Sequence, residues 1–201
     1  MLKRSCMLSP SRYRFFFENA VTFEAYNHDF KYRIDHSRGD GYDTYLPLNW
    51  QRTQRLTKTL VMDPVTEKQL QSLRTRVKWL LIAEHWCGDV SQSIPVIAAI
   101  AQASQGHIEL RIAYRDNNLE LMDAHLTDGK RRSIPMLIQL DQDFSVTGTW
   151  GPRPKEAQEL VKRLKSDPST APAYADELHR WYAHDKQHHI LSELSQLLMS
   201  A

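Results

Sequence analysis

A cysteine placed where a strand passes into a helix is the feature that most constrains the fold of this chain. Residues 77–83 are nearly all apolar, as in a central strand buried on both faces. A Trp-Cys-Gly-Asp-Val sequence follows at residues 86–90, and apolar positions with helical spacing continue over residues 91–103. A cysteine at such a junction meets the helix-terminal amides and the helix dipole, which favour its thiolate. We therefore predict that Cys87 is a nucleophile.

Further apolar segments follow this junction in a recognisable order. Residues 107–114 form a second run, and residues 135–140 form a third, entered through Ile134-Pro135. Together with the Trp-Cys-Gly sequence, this order resembles the Trp-Cys-Gly-Pro-Cys site and cis-proline loop of the thioredoxin superfamily. A later Trp-Gly-Pro-Arg-Pro sequence at residues 150–154 is similar to that of a largely uncharacterised single-cysteine branch of thioredoxin-like proteins.

The resemblance extends over about residues 77–164, less than half of the chain, and implies an α/β thioredoxin-like fold with a central mixed sheet flanked by helices. On this basis we divide the chain into three parts. Residues 1–75 are expected to form a helical N-terminal extension and residues 76–166 the thioredoxin-like core. Residues 167–201 are expected to form a C-terminal helix packed on the core.

Hydrophobic periodicity gives a coarse secondary structure outside the junction. An aromatic-rich helix is predicted over residues 13–26, with a loop over residues 36–43. An antiparallel hairpin is predicted for residues 136–140 and 144–150, and one long helix is predicted for residues 173–199.

Charge and apolar content indicate which partners the protein can bind and in which cellular compartment we expect it. The 201 residues include 26 Lys and Arg against 24 Asp and Glu, and no dense basic block is interleaved with stacking aromatics, which disfavours nucleic-acid binding. No apolar run approaches the length of a membrane span. The N-terminal segment makes a poor signal peptide because Pro10, Arg12 and Arg14 interrupt it, so we expect a cytoplasmic protein that does not bind membranes.

Cysteine usage argues against a structural role for sulfur. Cys6 and Cys87 are the two cysteines, which excludes a disulfide framework and a zinc site built mainly from cysteine. His184 and His188 have the spacing of two ligands on one helix face, but without further ligands nearby we favour a solvated helix. We therefore expect neither a metal nor a cofactor.

Two positions depart from the superfamily pattern. Val90 stands where a thioredoxin has its second cysteine, so a mixed disulfide at Cys87 must be resolved by another molecule's thiol, or by Cys6. Leu81 stands where thioredoxins usually have a buried carboxylate that relays protons. The resolving half-reaction therefore lacks both its thiol and its base.

Asp89 is the second candidate catalytic residue beside Cys87. In the first helical turn its carboxylate competes with the thiolate for the same amides and repels its charge, so Cys87 is expected to be less acidic than a dithiol nucleophile. Asp89, Glu84 and His85 are candidate proton carriers. The alternatives are a helix cap for Asp89 and solvent-facing positions for Glu84 and His85.

The resemblance also implies substrate-binding residues. A cis proline at Pro135 would present the backbone of Ile134 to an extended segment, and Gly151 would line the same groove beside Trp86. Arg153 would reach this groove, or pair with an acidic residue such as Asp116. Residues 129–132, Gly-Lys-Arg-Arg, would bind the carboxylate of a small thiol, or form a solvated face.

Three functions remain open. The first is a monothiol thiol-disulfide oxidoreductase that forms mixed disulfides between Cys87 and a protein or low-molecular-weight thiol. The second is a redox-inactive binding module in which Trp86, Pro135 and Trp150 grip a protein partner. The third is an iron-sulfur cluster shared by two subunits through Cys87, which Asp89 disfavours. Trp181 and Tyr182 are expected to pack the last helix on the core or on a second subunit, so a homodimer is also considered.

Overall fold

The computed structural model describes residues 7–199 and is built around a four-stranded mixed sheet. The strands are β1 (Val77–Ala83), β2 (Ile108–Tyr114), β3 (Met136–Leu140) and β4 (Val146–Trp150), in the spatial order β2-β1-β3-β4. β1 pairs with β2 in parallel and with β3 antiparallel, and β3 pairs antiparallel with β4. This topology confirms the mixed sheet and the C-terminal hairpin predicted from the sequence.

Helices flank the sheet on the described part of the chain. They are α1 (Pro10–Asn19), α2 (Phe23–His36), α3 (Leu46–Thr59), α4 (Pro64–Gln71), α5 (Gly88–Ala103), α6 (Leu119–Asp123), α7 (Lys155–Ser166), α8 (Tyr174–Asp185) and α9 (His188–Met199). Short 3-10 turns cover Gly41–Tyr45, Arg115–Asn117 and Ala171–Ala173. α5 packs against α3, α4, β2 and α9, while α1 and α2 contact β2.

The central strand β1 explains why its sequence is so uniformly apolar. Both of its edges are paired, and every residue of the strand except Lys78 is buried. Leu81 has no exposed surface, and the Trp79 indole N–H donates to Gln139 Oε1 at 3.0 Å. β1 therefore fixes the position of whatever follows Ala83.

The single helix predicted over residues 13–26 is wrong, because the chain forms α1 and α2 with a break between them. At the break, Val21 pairs with Ile112 through two backbone hydrogen bonds of 2.8 and 2.9 Å. The side chain of Thr22 then accepts from the Ala25 N–H and caps α2. A backbone contact with the edge of β2 thus outweighs the helical pattern of the local sequence.

The single long C-terminal helix is also wrong. Lys186 and Gln187 have φ values of 49° and 66°, which end α8 in the left-handed region, and α9 begins at His188. The break allows α9 to pack against β4 and α5. It also lies between His184 and His188, so the two histidines do not share one face of a single helix.

Three other expectations concern Cys6, a membrane span and a metal site. Cys6, considered above as a resolving thiol, lies outside the described residues. No helix within residues 7–199 combines the length and the apolar character needed to cross a bilayer. Across the same residues, His, Cys, Asp and Glu side chains do not form a group of three or more placed to hold a metal ion.

Candidate active-site pocket

Cys87 occupies the N-cap position of α5, four residues after the end of β1. Its thiol donates a hydrogen bond to the Ile134 carbonyl oxygen, with 3.3 Å between sulfur and oxygen. The Ile134–Pro135 peptide bond is cis and lies directly before β3. Two sheet neighbours, β1 and β3, thus bring together the cysteine and the proline loop identified in the sequence.

The surroundings of Cys87 oppose its ionisation. Burial, together with the negative charge of Asp89, raises the pKa of the Cys87 thiol to about 12. The backbone amides of Val90 and Asp89 and the Arg153 guanidinium act in the opposite direction and are outweighed. The residue keeps part of its surface open, but the protein atoms packed around the sulfur replace the water that would stabilise a thiolate. The direction is opposite to the one predicted from the helix terminus.

Asp89, which is buried, forms an ion pair with the partly buried Arg153. The Arg153 Nε lies 3.1 and 3.2 Å from the two carboxylate oxygens of Asp89, and its terminal nitrogen contacts the same group. The Tyr182 hydroxyl donates to the same carboxylate at 2.9 Å. Asp89 therefore ties the start of α5 to α8 and to the segment after β4. Arg153 pairs with Asp89 instead of Asp116, the acidic partner considered in the sequence analysis.

Two buried aliphatic side chains occupy the positions that correspond to the second cysteine and the buried carboxylate of dithiol thioredoxins. Val90 is 1% exposed and Leu81 has no exposed surface, so both belong to the core next to Cys87. Within residues 7–199, Cys87 is the one free cysteine. The described site thus contains one thiol, one ion-paired carboxylate and an apolar interior.

The proline loop itself is largely covered. Ile134, Pro135 and Trp150 are buried, and the Trp150 indole N–H donates to Glu193 of α9 at 2.7 Å. Gly151 has φ +134°, and a Cβ there would lie 2.2 Å from the Pro135 carbonyl oxygen. Gly151 therefore permits a close backbone approach to the proline loop.

Cys87 instead faces a pocket of about 390 Å³. The 3-10 turn Gly41–Tyr45, α3 and α8 supply most of its walls, and the start of α5 supplies the floor. α3 is held in place in part by Asn49, whose side-chain amide donates to the His85 carbonyl oxygen at 3.1 Å. The cations lining the pocket are Arg52, Arg153 and Lys165, and its aromatic residues include Tyr42, Tyr45 and Tyr174.

Comparison with known proteins agrees with this architecture. A family profile described as thioredoxin matches residues 38–165, which is more than half of the chain. The chain belongs to this thioredoxin family. The match begins before the 3-10 turn at Gly41–Tyr45, so it includes α3 and α4, which we had assigned to the N-terminal extension.

Two solved structures share the fold of this thioredoxin family member. A protein of unknown function from Pseudomonas aeruginosa has 19% sequence identity and a TM-score of 0.63, with 96% of this chain and 97% of that chain covered. An HIV epitope-scaffold has 20% identity and a TM-score of 0.64, with 94% of this chain and 98% of that chain covered. No curated protein matches the sequence.

The thioredoxin-family site has two further polar residues, Glu84 and His85, and both are buried, so the solvent-facing alternative considered for them is wrong. Glu84 Oε1 accepts from the backbone N–H of Asp116 at 2.9 Å. His85 Nε2 lies 2.8 Å from Asp29 Oδ2, which also accepts from the Tyr114 hydroxyl. Burial lowers the pKa of His85 to about 4. These hydrogen bonds hold the end of β1 to its neighbours and do not include the Cys87 thiol.

Trp86 lies at the edge of the pocket and is covered on its ring faces. The Tyr42 ring stacks on it with 4.5 Å between ring centroids, and the Arg115 guanidinium lies 4.6 Å from the ring centroid. The basic segment at residues 129–132 lies elsewhere. Its two arginines pair with nearby carboxylates, Arg131 with Asp128 and Arg132 with Asp123.

Sequence reasoning missed the residues that build the pocket wall, which are Tyr42, Tyr45, Arg52, Lys165, Tyr174 and His179. A partial signal exists for the first three. Tyr42 follows a glycine within the 36–43 segment, Tyr45 comes directly after that segment, and basic residues accompany the apolar positions of the following helix. The residues from α7 and α8 have no such signal, because only the three-dimensional fold brings them to Cys87.

Proposed function

We propose that this protein is a thioredoxin-fold binding protein in which Cys87 is a protonated thiol on the floor of a ligand pocket. The observation that carries the proposal is the environment of the sulfur. The thiol donates to the Ile134 carbonyl and has its pKa raised to about 12 by burial and by Asp89. Disulfide exchange is then not the activity of the resting protein.

The first half-reaction of disulfide exchange requires a thiolate. At a pKa of about 12, about one molecule in 10⁵ is ionised at pH 7, against a few per cent for free cysteine. The second half-reaction requires another thiol, and the position used by dithiol relatives holds the buried side chain of Val90. Both halves of the reaction are therefore disfavoured by the same group of residues.

The occupant favoured by the geometry is a small molecule. A protein segment added along the proline loop would need access to Ile134 and Pro135, and both are buried. The open space lies in front of Cys87 and has a volume of about 390 Å³, within the range of small-molecule sites. The protein partner considered from the sequence is therefore replaced by a low-molecular-weight ligand.

A disulfide-exchange assay tests this proposal. Reduction of a glutathionylated peptide by glutathione is measured at pH 7.4 with Cys6→Ser and with Cys6→Ser/Cys87→Ser. We expect the same rate for both, equal to the rate without protein, because Cys87 supplies too little thiolate. A rate at least tenfold higher with Cys6→Ser would overturn the proposal.

Thiol-disulfide exchange is the second candidate, and the position of Cys87 favours it. Cys87 keeps exposed surface, lines the pocket and has the amides of Val90 and Asp89 directed at its sulfur. In this reaction the Cys87 thiolate attacks a disulfide, a sulfur-sulfur bond forms as the original one breaks, and the leaving thiolate takes up a proton. A second thiol then releases Cys87 by the same step. A glutathione adduct on Cys87, seen by mass spectrometry during turnover, would support this candidate.

A further inference from the structure

We propose that the pocket binds a small organic anion whose carboxylate or phosphate group pairs with Arg52 and accepts from His179. This inference rests on the proposed binding function and names the class of ligand. It is carried by an unpaired cation, by a second donor that converges on the same point, and by an apolar surface next to both.

Arg52 provides the unpaired charge. Its side chain is partly buried in the wall of the pocket, and its hydrogen bond goes to the neutral Asn49 Oδ1 at 3.1 Å. Among residues 7–199 no carboxylate forms an ion pair with it. Burial and the neighbouring Arg55 lower the pKa of Arg52, in line with the absence of a paired carboxylate in the described part of the chain. A partly desolvated guanidinium of this kind gains most from an anion that can accept two of its N–H groups.

His179 provides the second donor. Its Nδ1 lies 3.3 Å from the Gln92 Nε2, and since an amide nitrogen donates, we assign Nδ1 as the acceptor. The neutral imidazole then has its proton on Nε2. Burial and Arg52 lower the pKa of His179, while Asp89 and Asp176 act in the opposite direction. The Nε2 of His179 is therefore an N–H donor.

The two donors lie close to each other beside Gly88. A Cβ built on Gly88 would lie 3.1 Å from His179 Nε2 and 3.7 Å from the Arg52 Nη1. Since both nitrogens lie within 3.7 Å of this one point beside the Gly88 Cα, a single carboxylate or phosphate group can contact both of them. The N-terminal amides of the 16-residue helix α5 add a favourable dipole at the same place.

The charge balance of the pocket favours an anion. Asp89 is neutralised by its ion pair with Arg153. Asp176 also lines the pocket but is exposed, and Lys165, whose ammonium lies 3.9 Å from the Tyr174 ring centroid, offsets it. Arg52 is left as the excess charge.

An apolar surface beside the two donors favours a ligand whose remaining part is hydrocarbon. Leu48, Tyr45 and Leu178 line the same pocket. Leu48 and Tyr45 are exposed large apolar side chains, 48% and 54% exposed. A ligand with an anionic end and a hydrocarbon body would cover this surface while pairing with Arg52, so a simple inorganic anion satisfies only half of the site.

Calorimetric titration with four probes tests the inference. Hexanoate and hexyl phosphate carry both parts of the ligand, acetate carries the charged group alone, and hexanamide carries the body without a charge. We expect hexanoate or hexyl phosphate to bind, with acetate and hexanamide at least tenfold weaker. The preferred headgroup of the two distinguishes a carboxylate ligand from a phosphate ligand. Equal affinity for hexanamide and hexanoate would overturn the anion site, as would binding of none of the probes.

Three variants locate the site. Arg52→Gln removes the charge, and Arg55→Gln removes an equal charge from the exposed side of the same helix. We expect at least a tenfold loss of affinity for Arg52→Gln and less than a twofold loss for Arg55→Gln. Gly88→Ala places a methyl group 3.1 and 3.2 Å from Nε2 and Cε1 of the His179 ring, so the ring must move and binding should also weaken at least tenfold. Equal effects of Arg52→Gln and Arg55→Gln would contradict the assignment.

The outcomes separate this inference from the proposed function. Failure of every probe to bind, with no disulfide exchange, would remove the anion site and leave the inert thiol intact. Probe binding together with rapid exchange at Cys87 would support the anion site and overturn the proposed function.

Discussion

Asp89 has two effects, one on the Cys87 thiol and one on packing, and the sequence motif predicts only the first. Its carboxylate raises the pKa of Cys87, and the same carboxylate accepts from Arg153 and Tyr182. The motif shows that a carboxylate follows the cysteine, and the sequence analysis accordingly predicted a less acidic thiol. It did not show that Arg153 and Tyr182 would hold the group in place, since both are more than 60 residues away along the chain.

Replacing Asp89 with asparagine separates these two effects. Asp89→Asn removes the charge beside Cys87, so the pKa of the thiol should fall and alkylation by iodoacetamide at pH 9 should become several-fold faster. The free energy of unfolding of the variant should be lower by about 3 kcal/mol, because the partly buried Arg153 loses its partner. Chemical denaturation measures the second effect in the same preparation.

Tyr182→Phe is the matched control for Asp89→Asn. It removes one hydrogen bond to the carboxylate and leaves the charge, so we expect a loss of about 1 kcal/mol and an alkylation rate within twofold of the parent. An Asp89→Asn protein alkylated no faster than Tyr182→Phe would show that Asp89 does not control the thiol.

At the scale of secondary structure, hydrophobic patterns predicted the sheet and failed at two helix breaks. The uniformly apolar β1 and the hairpin strands could be recognised because their burial is imposed by the sheet itself. The breaks at Val21 and at Lys186 depend on contacts distant in sequence, namely the pairing of Val21 with Ile112 and the docking of α9 on β4. A local helical period contains no information on either contact.

The docking of α9 depends on one carboxylate in particular. Glu193 accepts from the Trp150 indole at 2.7 Å and from the backbone N–H of Lys155 at 2.8 Å. It therefore joins the last helix to the end of β4 and to the first turn of α7.

Removal of this carboxylate should destabilise the fold. We expect Glu193→Ala to lower the free energy of unfolding by about 2 kcal/mol, because two donors lose a charged acceptor. Glu159→Ala, an exposed position on α7, should change it by less than about 0.5 kcal/mol. Urea denaturation of both variants measures the difference, and equal effects would show that Glu193 does not hold α9.

At the scale of the whole molecule, the pocket is made from segments that lie far apart in the sequence. Arg52 of α3 and His179 of α8 converge on Gly88 of α5. The sequence identified Cys87, its proline loop and the family resemblance, since these lie within short motifs. It could not identify the pocket, because only the packing of α3 and α8 around the start of α5 brings Arg52 and His179 close together.

Two buried histidines make the whole fold sensitive to acid. Burial lowers the pKa of His85 and of His125 to about 4, against 6.5 for an exposed histidine. Between these values the unfolded chain binds more protons than the native protein, so stability is lost as the pH falls from about 6.5 to 4. Each histidine should contribute up to about 3 kcal/mol to this loss.

Urea denaturation at pH 7 and pH 4.5 measures this acid sensitivity. A His85→Gln/His125→Gln double variant should show a clearly smaller difference between the two pH values than the parent. A double variant with the same difference as the parent would show that neither histidine causes the acid sensitivity.

The most direct test of the account is the pH dependence of Cys87 alkylation in the Cys6→Ser protein, which leaves a single thiol to react. With a pKa raised to about 12, the rate with iodoacetamide should rise about tenfold per pH unit from pH 7 to pH 10 without reaching a plateau. At pH 7 it should be well below that of free cysteine. A plateau with a midpoint below pH 8 would contradict the account, because Cys87 would then be an available nucleophile.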